Sequence, residues 1–90
     1  MKISKRLIGQ TVRVEKLDLL DRPSEIYYIK VTGADASSKS ITGKYFRQLA
    51  SNDNLLLRIG TVFCGEYCVI EPTTDDEYKS ELLNCINKYV

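Results

Sequence analysis

Ninety residues with 43% apolar and 28% charged side chains make one small folded domain. So short a chain can bury one modest core, which argues against a deep substrate cleft. The net charge is only +1, but residues 1–50 carry ten Lys/Arg against five Asp/Glu (+5), and residues 51–90 carry three against seven (−4).

A basic front and an acidic tail can steer a polyanion or an acidic protein face toward the front half, although such charges also serve simply as solvated surface. No segment approaches the ~18 consecutive apolar residues of a membrane-spanning helix. The amino end, MKISKRLIGQ, is basic with no apolar run behind it, so it does not read as a secretory signal. No lipidation pattern is visible. Three cysteines, an odd number, fit reduced thiols better than a disulfide framework, and a cytoplasmic location is expected.

In chain order, Ile3, Leu7 and Ile8 are expected to pin a basic lead-in to the core. Gly9-Gln10 then breaks the chain. Thr11-Val12-Arg13-Val14-Glu15 alternates strictly, the pattern of a half-buried strand with Val12 and Val14 inward. Leu19 and Leu20, in the connector before Pro23, are expected to cap an open end of the sheet. Residues 25–49 read as a long hairpin around the polar tip Gly33–Lys39. On its first strand the pattern predicts Tyr27, Ile29 and Val31 in the core and leaves Ile26 and Tyr28 exposed beside Lys30. On its second strand Gly43 marks a bulge, which leaves open whether Tyr45 or Phe46 is buried.

Ala50–Asn54 reads as a turn and Leu55–Ile59 as a short strand ending at Gly60. Residues 61–71 fit one strand bent at Gly65, but a hairpin turning at Gly65-Glu66 is the preferred reading. The hairpin would set Val62 opposite Val69 and Phe63 opposite Cys68. After Pro72, Thr74-Asp75-Asp76-Glu77 is a capping box with acids at the positive end of a helix dipole. The predicted helix runs to about Lys88. Tyr78, Leu82, Cys85, Ile86 and Tyr89 form its apolar stripe, expected on an open end or face of the sheet.

One domain follows, with residues 1–72 β-rich and basic and 73–90 an amphipathic helix. The expected fold is mainly β (α+β): a five- or six-stranded antiparallel barrel or rolled sheet with one C-terminal α-helix. The layout is similar to SH3-like and Sm-like barrels in architecture alone, with no family motif.

The chemistry that can be excluded narrows the function. With no histidine in the chain, Cys–His and Ser–His–Asp arrangements cannot form. Three cysteines without a CxxC pair fall short of a structural zinc set. Cys64 and Cys68 on one straight strand would stand ~13 Å apart, too far for a disulfide, and across a hairpin they would be diagonal neighbours. The Gly60-x4-Gly65 spacing lacks the Lys-Ser/Thr tail of a phosphate loop. Asp75, Asp76 and Glu77 are explained by the helix start. A non-enzymatic protein with no metal and no cofactor is therefore expected.

What remains is a surface. Arg13, Tyr28, Lys30, Lys44, Tyr45, Phe46, Arg47 and Arg58 interleave aromatics and cations on neighbouring strands. Aromatic and Arg anchors suit a larger protein partner, which points to a regulator or inhibitor. The same residue types suit RNA or single-stranded DNA, through stacking and phosphate neutralisation, although the near-neutral total charge weighs against that alternative. Homodimerisation through a strand edge is compatible with either.

Overall fold

The computed structural model describes residues 2–49, 57–65 and 67–87. Five strands form one antiparallel sheet: β1 (Thr11–Leu17), β2 (Pro23–Asp35), β3 (Ser40–Leu49), β4 (Arg58–Phe63) and β5 (Cys68–Thr73). Their order is β4-β3-β2-β1-β5, and α1 (Asp75–Asn87) follows. The expected turn at residues 50–54, together with Leu55, Leu56, Glu66, Lys88 and Tyr89, lies outside the described residues.

The sheet cannot be flat. Phe63 is level with Ser40 and so with Asp35 of β2, while Cys68 is level with Lys16 and so with Glu25. Ten strand residues along and four strand spacings across would separate Phe63 from Cys68 by more than ~35 Å. The five peptide steps between them span at most ~18 Å. The sheet therefore coils until its two outer strands approach at a corner. The linking segment is tied to the sheet at each end, Cys64 N–H donating to Lys39 O (2.8 Å) beside β4 and Leu17 N–H to Tyr67 O (2.9 Å) beside β5. The result is a rolled sheet that stops short of a closed barrel.

Strand alternation assigns the two faces. Inside the roll, Val12, Val14, Ile29, Val31, Ile41 and Val62 are buried together, and Leu7 reaches the same core from a 3-10 turn at Lys5–Leu7. Ile3 is half-buried there, whereas Ile8, 48% exposed, is not part of that core. Outside the roll, α1 lies on β2 and β3 and buries a second cluster of Tyr28, Phe46, Tyr78 and Cys85. Tyr28 and Phe46 stack at 5.1 Å, and the Tyr78 ring meets Phe46 edge-on at 5.0 Å. At the helix start, Glu77 N–H donates to Thr74 Oγ1 (3.1 Å) as expected, but the Glu77 carboxylate accepts from the Thr73 hydroxyl.

Several sequence expectations change for physical reasons. Tyr28 is buried, because α1 needs an apolar floor and the outer face supplies it. Phe46, not Tyr45, is fully enclosed, and Tyr45 packs half-buried inside the roll. Ile86 is exposed although it lies on the helix stripe. The bulge belongs to β2: the register slips between Val31 and Gly33, and Gly43 sits across from it. Gly60 lies within β4 and ends no strand. The segment 61–71 is neither one bent strand nor a tight hairpin, since β4 pairs with β3 and β5 with β1. Val62 consequently faces Ile41, not Val69. Leu19 and Leu20 cap nothing among the described residues, being 93% and 70% exposed on a turn built by Asp18, whose Oδ1 accepts from the amides of Leu20 and Arg22.

Candidate functional site

Past the apolar layer, the inner face of the roll changes character. Across β2 and β3, Tyr27 stands opposite Arg47, and across β3 and β4, Tyr45 stands opposite Arg58. Because Tyr45 and Arg47 are two residues apart on one strand, all four side chains share the inner face. They line a small, open hollow of about 60 Å³. The tyrosine rings lean together at 5.7 Å with a 58° tilt.

The polar groups of this hollow are unevenly satisfied. Tyr27 O–H donates to Glu25 Oε2 (2.8 Å), and Arg47 Nη1 lies 3.7 Å from Glu25 Oε1. Arg47 Nε is buried and has no hydrogen-bond partner among the described residues. Arg58 is exposed at the rim, and Lys16 Nζ sits 5.4 Å from the centre of the Tyr27 ring. Burial raises the Tyr27 phenol above its ordinary 10.0; the bond to Glu25 adds to the rise and Arg47 opposes it. Arg47 thus shares its charge with Glu25, while Arg58 at the rim and Lys16 beside the Tyr27 ring add two further cations. Such an arrangement can take a carboxylate or phosphate oxygen while the tyrosines contact the carbon skeleton behind it.

The eight residues expected to form one binding face are divided by the sheet. Tyr45, Arg47 and Arg58 come together in the hollow. Arg13, Tyr28, Lys30, Lys44 and Phe46 lie on the outer face, where α1 covers Tyr28 and Phe46. Arg13 is held there by Glu15 (2.9 Å) and Glu71 (4.0 Å). Lys30 Nζ sits 4.8 Å over the Tyr78 ring, and Lys44 remains exposed. Tyr27 and Glu25 belong to the site but carry no sequence signal for it, since Tyr27 alternates in phase with the core. Only its register with Arg47 reveals the connection.

Elsewhere, Cys64, Cys68 and Cys85 are free thiols, and no group of three or more Cys, Asp or Glu side chains among the described residues is placed to hold a metal ion. No helix among them is long and apolar enough to cross a membrane. Compared with protein-family models, curated proteins and solved structures, the chain matches none.

Proposed function

We propose that this is a small non-enzymatic binding module, a regulator or inhibitor that docks a larger protein by taking an acidic side chain into the Tyr27/Tyr45/Arg47/Arg58 hollow. The observation that carries this reading is the meeting of Arg47, Arg58 and two tyrosine rings in one open hollow, with Glu25 the sole carboxylate paired with Arg47 among the described residues. A carboxylate from a partner would meet the charges of both Arg47 and Arg58, while the tyrosines supply contact area at low entropic cost. Arg and Tyr are the residue types that dominate such anchors. A cytoplasmic location goes with three unbridged thiols.

Nucleic acid is the weaker reading because a stacking platform needs exposed aromatic faces. Tyr28 and Phe46, two of the aromatics nominated for that role, lie beneath α1.

Affinity capture with wild type and an Arg47→Glu/Arg58→Glu variant tests the proposal, with labelled single-stranded oligonucleotides titrated in parallel at two salt concentrations. The expected result is a partner protein retained by wild type and lost by the variant, with no micromolar oligonucleotide binding at low salt. A partner set unchanged by the double reversal would overturn the assignment of the site. Tight oligonucleotide binding that falls steeply with salt would replace a protein partner by a nucleic acid.

A further inference from the structure

The two edges of the sheet are built differently. β5 is guarded: Glu71 and Pro72 lie within it, and a charge and a missing N–H both discourage further pairing. β4 has no such guard after Arg58, running Ile59-Gly60-Thr61-Val62-Phe63 without a charge or a proline. Among the described residues no strand pairs with its outer edge.

The hydrogen-bond phase of that edge follows from the register. Cys64 N–H donates to Lys39 O, so Cys64 and Lys39 are a hydrogen-bonded pair. Counting back by twos, Val62/Ile41, Gly60/Gly43 and Arg58/Tyr45 are also hydrogen-bonded pairs. Ile59, Thr61 and Phe63 therefore turn their amides and carbonyls away from β3, toward an edge that no strand among the described residues covers. The 2.9 Å contact between the Thr42 and Thr61 hydroxyls agrees, since side chains come closest in non-hydrogen-bonded pairs. The side chains of Ile59 and Phe63 stand on the outer face, 82% and 63% exposed, with Thr61 between them.

We propose that the outer edge of β4 pairs with β4 of a second copy of this chain, antiparallel about a two-fold axis at Thr61. The edge is complementary to itself in this register. Thr61 meets Thr61, and each Ile59 meets the other copy's Phe63. All three positions present outward amides and carbonyls, so the ladder closes without an orphaned group. Charge also selects a second copy. A two-fold axis sets like against like, which a charged edge resists; positions 59–64 carry no charge, and Arg58 falls opposite Cys64. The guarded β5 edge prevents further growth, so the assembly stops at two. A six-residue ladder with two large apolar side chains per copy falls short of the ~800 Å² per partner of a standard interface, so the dimer is weak and forms at roughly 10–100 μM.

Sedimentation equilibrium of the full chain between about 5 and 500 μM tests this. Phe63→Lys places a like charge near the axis, and Thr61→Pro removes an outward N–H that β3 does not use. Thermal melts at low concentration establish that each variant is folded, and Phe63→Lys alone decides if the proline variant is not. The expected result is a reversible monomer–dimer equilibrium for wild type, and monomer throughout for the folded variants. Arg47→Glu should dimerise like wild type, which separates this interface from the hollow. A wild type that stays monomeric, an open ladder of larger species, or a dimer that survives Phe63→Lys would overturn the proposal.

Discussion

Gly43 is a position where one hydrogen atom decides the fold locally. A Cβ built there would stand 2.0 Å from Lys30 O, a backbone atom of the neighbouring strand beside the β2 bulge, and 3.2 Å from the Ile29 side chain at Cγ2. Its cross-strand partner Gly60 differs, since the nearest atom to its Cβ would be Tyr45 Cε1 at 3.6 Å, an ordinary contact. Gly43→Ala should cost at least ~3 kcal/mol, because backbone has to move, whereas Gly60→Ala should cost below ~1 kcal/mol; urea unfolding of both variants checks the contrast.

Cys64 offers a second test at this scale. Burial, aided by the neighbouring Cys68, pushes its thiol from 9.0 up to about 12. The unfolded chain releases that proton above pH 9 while the folded chain keeps it. Stability from this group is thus fully present below pH 9 and is lost as pH climbs toward 12. Urea midpoints between pH 8 and 10.5 should fall less steeply for Cys64→Ala than for wild type, whatever the variant's stability at pH 7. Single-residue burial was largely legible from alternation: Val12, Val14, Tyr27, Ile29 and Val31 are all in the core as the period predicts. Tyr28 was not, because alternation assigns a face without saying what later covers it.

At the scale of elements, the helix explains why both sides of β2 are apolar. Its start is written in local chemistry, with Thr74 capping and three acids at the positive end, and so it was readable from sequence. Its docking depends on Phe46, which is fully enclosed between Tyr28 and Tyr78. Polar contacts fix the helix position: Tyr78 O–H donates to Lys44 O (3.3 Å) and Gln48 Nε2 to Glu81 Oε2 (3.2 Å). Phe46→Ala should lower stability by ~3–5 kcal/mol and speed amide exchange in α1 more than in β1, measured by hydrogen exchange followed by NMR. The link between β4 and β5 was misread for a related reason. Gly65, at φ 71°, makes a turn in either topology, and turn chemistry does not reveal that the two flanking strands pair with β3 and β1 instead of each other.

For the whole molecule, the charge gradient along the chain is partly consumed by folding. The acidic tail returns to the basic front: Thr11 Oγ1 donates to Asp75 Oδ1 (2.5 Å), and Glu71 reaches toward Arg13. The cations of residues 30–58 fall on both faces of the sheet. Arg47 and Arg58 gather in the hollow, while Lys30 and Lys44 stay on the far side of the sheet. That division was invisible before the register was known, since residues 44–47 alternate between faces and look like one cationic cluster in sequence.

The central claim is that recognition occurs inside the mouth of the roll and that the helix-covered outer face is structural. Amide NMR of the isotope-labelled chain, titrated with an Asp/Glu-rich peptide of about ten residues, tests it most directly. The account predicts saturable shifts concentrated at Tyr27, Tyr45, Arg47 and Arg58, abolished by Arg47→Glu. Shifts centred on Lys30 and Lys44, with the hollow undisturbed, would contradict it.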